Sequence, residues 1–307
     1  MKIYISTLLT LVILICSSLS SSKDKKTLKK MITVLNENYT IIPSGTITLN
    51  ADSLSIQSFI MQRGEVSNAE YLLFLKDLIA TGRIKEYEIA KIDSTGWNDK
   101  NTANSNFTVH YHTHSAYLDY PVVNVSKAGA IMYCEWLSKK VNEQLGKENG
   151  LIFRIPAHAE WVYAANAGNK NATYSWGSPY LRNEKGQFLA NFLKLDETSI
   201  SRDSLTNEFK IKPLHSLNQG NVFNDFSDVI APTKSYFSSP FQLYNMNGNV
   251  AEMVADYGFA VGGSWMEPGY DVRNLSVKKF TNASIAIGFR VVATVNSKDH
   301  SWLKNMK

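Results

Sequence analysis

Cysteine is scarce: Cys16 and Cys134 are the only two among 307 residues. Cys16 falls in the leader region, where it is either lipidated or removed, so the mature chain keeps one thiol and no internal disulfide can form. Cys134 lies on Ala130-Ile-Met-Tyr-Cys-Glu-Trp-Leu137, where positions 130, 133, 134, 137 and 141 follow helical apolar spacing. That spacing predicts a buried structural thiol rather than a nucleophile, since nothing nearby lowers its pKa. A dominant charge is missing too. The net charge is +5, and Lys23, Lys25, Lys26, Lys29 and Lys30 form the one basic cluster. Without a basic stripe interleaved with aromatics, a nucleic-acid surface is not expected, and the cluster reads as a solvated tether. No repeat of roughly 20 to 50 residues recurs, and no long hydrophobic run follows Ile15. What is present is ordinary globular composition, 44% hydrophobic and 19% charged, enough for one large core.

Met1-Lys2 followed by the apolar run Ile3 to Ile15 has the form of a signal peptide, too short to span a membrane as a lone helix. Export is expected. Leu14-Ile15-Cys16-Ser17-Ser18 resembles a lipobox, in which Cys16 would be acylated, although Ile15 stands where Gly, Ala or Ser is usual. The small residues Cys16, Ser18 and Ser20 also suit cleavage by signal peptidase I after Ser18 or Ser20, and both routes stay open. The expected organisation is a signal peptide over 1–20 (ending before Cys16 in the lipoprotein case), a polar tether over 21–40, one domain over 41–295 and a tail over 296–307.

Tyr39 to Phe59 reads as strand and hairpin material around a Pro43-Ser-Gly45 turn. Ser67 and Glu70 form a capping box that starts an amphipathic helix running to about Leu78 and ending at Thr81-Gly82. Gly82 to Ala116 is polar and Asn-rich, and is read as a long surface insertion. Tyr120-Pro-Val-Val-Asn-Val-Ser126 predicts a short buried strand leading into a helix capped by Ser126. Pro156 before, and Gly168 after, Ala157-His-Ala-Glu-Trp-Val-Tyr-Ala-Ala165 bound a further helix.

Near the C-terminus stand Leu243-Tyr-Asn-Met-Asn-Gly-Asn-Val-Ala-Glu-Met253, Gly262-Gly-Ser-Trp265 and Ile287-Gly-Phe-Arg-Val-Val292. This trio resembles the signature of the formylglycine-generating enzyme (sulfatase-modifying factor) family. Upstream, Glu65-Val-Ser-Asn68 with Tyr71 and Phe74, then Leu151-Ile-Phe-Arg-Ile-Pro156, Tyr174-Ser-Trp-Gly177 and Ala190-Asn191 match further elements of that family in the same order. Lys127 departs from the family's usual Trp after Ser126. The resemblance runs from about residue 41 to 295 and implies an α+β fold, a single loop-rich C-type-lectin-like domain.

By resemblance, the family's calcium loop maps onto Asn247, Gly248, Val250 and Glu252, and its second calcium site onto Asn191, Phe192, Asp225 and Ser227, with Asp228 as the alternative to Asp225. A hard cation of this kind wants roughly six to eight oxygens. The plainer reading makes Asn247-Gly-Asn249 a turn and Glu252 a solvated residue. The family's oxidases hold copper through two cysteines just after Gly-Gly-Ser, but Met266 to Ala286 contains none, and Asp271 and Ser276 take those places. Copper(I) prefers soft thiolates, so neither copper nor formylglycine-forming oxidation is expected. Arg290 is read as a buried structural arginine. Outside the family pattern, His110, His112 and His114 alternate. On a strand they would share one face and meet a zinc or iron ion.

Cysteine-free exported members of this family include gliding-motility and type IX secretion lipoproteins of Bacteroidetes, which share the Tyr-Pro-Val-Val strand and the tether. The resemblance therefore implies a non-catalytic structural or binding component of the bacterial envelope, in the periplasm or outer membrane. Its partners would be envelope proteins or a cell-surface glycan, and membrane contact would come only through an anchor at Cys16. The competing reading is a periplasmic metal-dependent oxidase or tailoring enzyme with non-cysteine ligands.

Overall fold

The computed structural model describes residues 38–98, 107–145, 150–194, 200–211, 229–256 and 258–295. The expected signal peptide, most of the tether with Cys16, and the tail over 296–307 lie outside the described residues. The first sheet is antiparallel and joins distant parts of the chain in the order β1 (Tyr39–Ile42), β4 (Phe59–Gln62), β12 (Val292–Val295), β5 (Leu151–Arg154). Val292 faces Met61 on one side and Arg154 on the other, so the last strand is clamped between two earlier ones. Side-chain alternation sets the register of β5: Leu151 and Phe153 are buried and Ile152 is exposed. A hairpin of β2 (Gly45–Leu49) and β3 (Asp52–Ile56) turns through Asn50 and Ala51, both at positive φ as a two-residue hairpin turn requires. The second sheet runs β10 (Val277–Lys279), β9 (Phe259–Val261), β8 (Ala251–Met253), β11 (Ile287–Gly288), with β11 parallel to β8.

The capping box is formed as the sequence implies. Ser67 Oγ accepts from the Glu70 N–H, and the Glu70 carboxylate accepts from the Ser67 N–H, starting α1 (Asn68–Ala80). Ser126 likewise caps α3 (Lys127–Leu145), accepting from the Gly129 N–H at 3.0 Å. A further helix, α4 (His158–Asn166), ends through Ala167 and Gly168, both at positive φ. The larger core packs α1 and α3 against Phe289 of the Gly-Phe-Arg motif. Tyr71 stacks on Tyr133 at 5.7 Å, and Phe289 meets Tyr133 edge-on at 5.6 Å. Cys134 lies in that core, and burial pushes its thiol well above the usual range. The smaller core gathers Trp161, Ile42, Met61 and Met246 between α4 and the hairpin.

The described parts of the Gly82 to Ala116 stretch, residues 82–98 and 107–116, are more ordered than its composition suggests. They carry α2 (Ile84–Ala90), 3₁₀ turns at Ser94–Asn98 and Ser115–Tyr117, and a helical turn at Phe107–His110. Trp97 and Tyr111 are buried and pack with Val123, Val250, Trp265 and Ile285, so this segment closes over the signature motifs. Among the described residues no helix is long and apolar enough to cross a membrane.

Candidate functional site

The signature motifs converge on an amide network. Asn249, held at φ 61°, donates through Nδ2 to Glu65 Oε1 at 2.8 Å and to the Ala231 carbonyl at 3.1 Å. Its Oδ1 accepts from the Ala231 N–H at 2.8 Å and from Asn191 Nδ2 at 3.3 Å. Gly248 has to be glycine: at φ 78°, an added Cβ would lie 2.1 Å from the Asn191 carbonyl oxygen. Asn247 Oδ1 accepts from the Ser175 N–H, and its Nδ2 donates to the Val272 carbonyl and to Asn274 Oδ1. Side chains thus tie loops together where regular backbone pairing is sparse.

Beneath that network lies the Glu252–Arg290 ion pair, 1% and 0% exposed. Arg290 Nε donates to Glu252 Oε2 at 2.6 Å and Nη2 to Oε1, while the remaining donors reach the carbonyls of Gln62, Arg63 and Tyr244. All five guanidinium N–H groups are placed, as burial of this cation demands. Trp161 Nε1 adds a further hydrogen bond to Glu252 Oε2 at 2.7 Å.

This geometry removes the side-chain ligands from the calcium assignment at the signature loop. Both Glu252 oxygens face Arg290 and Trp161, and the Asn247 amide is engaged at both ends, so neither side chain is presented to a cation. Gly248 is pressed against the Asn191 carbonyl, and Val250 is buried among Trp97, Trp265 and Ile285. The Glu252 and Asn247 side chains as placed do not fit a hard cation that needs oxygen ligands all round. At the second set, Asn191 donates to the Val229 carbonyl at 2.5 Å and Phe192 packs against Phe188. Asp225, Ser227 and the alternative Asp228 lie outside the described residues.

The histidine reading is corrected as well. Residues 107–117 are short helical turns rather than a strand, and this sends the three side chains different ways. His110 and His114, four apart on a turn, remain exposed with ring centroids 5.8 Å apart. His112 points inward: Trp97 Nε1 donates to its Nε2 at 3.4 Å, which leaves Nδ1–H to donate to Asn68 Oδ1 at 3.0 Å. Burial pushes the imidazole down to about 4, so it is a neutral core bridge. Among the described residues no group of three or more His, Cys, Asp or Glu is placed to hold a metal ion.

At the positions aligned with the family's cysteines, Asp271 sits exposed on the 3₁₀ turn Gly269–Val272. Ser276 Oγ approaches the Tyr270 carbonyl at 3.4 Å, and the Arg273 guanidinium stacks on the Tyr270 ring at 3.5 Å. Neither oxygen side chain fits copper(I).

One feature escaped motif reading. Gln62, Gly64, Glu65, Ser67, Ala69, Glu70, Asp119, Pro232, Thr233, Lys234 and Asn38 line a cleft of about 490 Å³. Glu65 is 1% exposed, and burial raises its carboxyl to about 8 against the nearby Arg290 charge. Glu65 and Glu70 were visible in the sequence as parts of a family motif and a helix cap. Nothing in their spacing showed that Gln62, Asp119 and the 232–234 loop would meet them.

The profile of the Sulfatase-modifying factor enzyme 1-like domain matches residues 17–295. The chain is 24% identical over 253 residues to the formylglycine-generating enzyme of Bos taurus, covering 70% of this chain and 57% of that protein. It is 26% identical over 188 residues to the inactive C-alpha-formylglycine-generating enzyme 2 of Bos taurus, covering 56% and 50%. The chain thus spans about half the length of these curated relatives. The fold is similar to the structure of PvdO from Pseudomonas aeruginosa (TM-score 0.54, 20% identity, 83% of this chain and 93% of that one). It is also similar to the crystal structure of CarF (TM-score 0.53, 18% identity, 85% and 100%).

Proposed function

Because this chain belongs to the sulfatase-modifying factor enzyme 1-like family, we propose that it is a non-oxidising member acting as a binding or scaffold component of the bacterial cell envelope. The observation that carries this reading is chemical. The loop after Gly262-Gly-Ser264 has Asp271 and Ser276 where the family's oxidases have cysteines, and Met266 to Ala286 contains no cysteine. Cys134, the thiol of the globular domain, is 2% exposed in the helical core with its pKa raised by burial, so it is no substitute nucleophile. A relative whose name marks it as inactive gives the reading a precedent within the family. The ion pair and amide network hold the signature loops without the oxidase centre, and the exposed Ile84, Ile89 and Val109 on α2 and the Phe107–His110 turn are surface it offers to an envelope protein or glycan. A gliding-motility or type IX secretion role is the finer form of this proposal, supported by the Ile3 to Ile15 leader, the lysine-rich tether and the Tyr120-Pro-Val-Val123 segment. That segment is buried at Pro121–Val123 but, among the described residues, pairs only through a bridge from Pro121 to Ser67 rather than as the expected strand.

The test is direct. Incubated with copper, oxygen, a thiol reductant and a Cys-x-Pro-x-Arg peptide, the protein should leave the peptide mass unchanged. Aldehyde formation on the peptide overturns the proposal, since loss of both essential ligands should leave no measurable rate.

A further inference from the structure

The cleft between the end of β4, the first turn of α1 and the 232–234 loop has no role in the reading above, and its chemistry is one-sided. Its volume, about 490 Å³, lies in the range of small-ligand sites, roughly 300–1,000 Å³. Hydrogen-bond acceptors line it in excess. Gln62 is 4% exposed, and its Oε1 has no partner, because its Nε2 is turned toward the two Glu70 oxygens at 3.0 and 3.1 Å. A buried amide oxygen without a donor is a costly arrangement unless something supplies one. Glu70 adds a carboxyl group and Asp119 stands exposed in the lining, whereas both oxygens of the buried Glu65 are held by Asn245 and Asn249.

The backbone donors at the helix end of the cleft are already committed. The first-turn N–H groups of α1 are taken: Ser67 by Glu70 Oε2, Asn68 by the Tyr120 carbonyl, Ala69 by the Leu118 carbonyl and Glu70 by Ser67 Oγ. Lys234 Nζ donates to Asn38 Oδ1 at 2.6 Å. An anion therefore finds no vacant donor at this helix end, despite the favourable direction of the helix dipole. A metal ion is disfavoured by placement, because no three metal-ligating side chains among the described residues converge. The occupant that answers this wall is a cation carrying several directed N–H donors.

We propose that this cleft binds a primary ammonium group, whose N–H donors would reach the unpartnered Gln62 Oε1 and the Glu70 carboxyl group, with Asp119 drawing the cation in. A lysine side chain of a partner peptide and a free alkylamine share this chemistry. The site lies apart from the Asp271–Ser276 loop, so the peptide-oxidation assay above neither supports nor weakens it.

Calorimetric titration of the whole protein tests the site with three probes: n-butylammonium chloride, tetramethylammonium chloride and the peptide acetyl-Ala-Lys-Ala-amide. n-Butylammonium should bind, and tetramethylammonium, equal in charge but without N–H donors, should bind at least tenfold more weakly. Peptide binding tighter than that of n-butylammonium would assign the lysine source, and the reverse would assign the free amine. Two variants locate the site. Asp119→Lys reverses an exposed charge that the fold does not use, and Ala69→Trp fills the lining. Each should weaken n-butylammonium binding at least tenfold, with the melting temperature of the Asp119→Lys protein unchanged. Equal binding of the two ammonium ions, no binding of either amine probe, or full affinity in both variants overturns the proposal.

Discussion

Glu252 and Arg290 illustrate how a single residue's partner decides its meaning. The carboxylate is flanked by a guanidinium and an indole N–H in a dry interior, and this arrangement gives a specific expectation. Glu252→Ala would leave the Arg290 charge buried and uncompensated, which typically costs about 3–5 kcal/mol. Denaturant melts should show the same loss in calcium and in chelator. A loss confined to calcium-containing buffer would restore the metal reading. Two further buried groups shape the response to pH. Glu65 has its carboxyl raised from 4.5 to about 8 by burial, with Arg290 opposing and Glu252 reinforcing the shift. Its contribution to stability is full below about 4.5 and is lost as pH rises toward 8. His112 runs the other way: with its folded value near 4 against 6.5, its contribution is present above 6.5 and lost as pH falls toward 4. The two slopes oppose between 4.5 and 6.5, and only Glu65 acts between 6.5 and 8. Unfolding free energy should therefore fall over that upper window by about 1 kcal/mol per pH unit. Glu65→Gln should flatten the fall, and an unchanged slope in that variant would refute the assignment.

Among the elements, those set by local rules follow the sequence closely. The Ser67–Glu70 box starts α1, Ser126 starts α3, and Ala167-Gly168 ends α4, because each needs only a few neighbouring groups to satisfy end-of-helix N–H and C=O groups. The β2–β3 hairpin is local too, but its turn carries a conflict. Ala51 sits at φ 71°, a region that L-residues with a Cβ enter at a penalty. Ala51→Gly should stabilise the protein by roughly 0.5–1 kcal/mol, read as a higher denaturation midpoint at constant slope. No change, or a loss, would show that the turn is not strained. The histidine segment went the other way. Alternation of His with Thr and Tyr fits a strand, yet the Phe107, Tyr111 and Tyr117 rings pack on one another at 5.3 to 5.8 Å, and that aromatic cluster suits compact turns.

At the scale of the molecule, β12 closes the fold by pairing with β4 and β5, so the last described strand sits in the middle of the first sheet. Such closure holds the Gly288-Phe-Arg290 motif, which precedes β12, against the core. The proposed placement in the envelope rests on Ile3 to Ile15 and the lysines that follow. Mass spectrometry of the mature protein should show either a di- or triacylated Cys16 or a start at Leu19 or Ser21. An intact Met1 would refute export.

The sequence by itself determined the family, the α+β class, the helix caps, the buried Cys134 and the absence of a cysteine pair after Gly263, since all of these reside in residue identity or in spacings of a few positions. Only the tertiary structure decided which acceptors meet which donors. Glu252 could be read from its motif as a metal ligand until Arg290, 38 positions away, was seen to hold it. The cleft likewise depends on Gln62, Asp119 and Lys234 being brought together by the packing of a strand end, a helix end and a loop. Hydrogen bonding and charge act over a few ångströms in space, whereas motif reading senses distance along the chain, and in a loop-rich fold the two measures diverge most at the site.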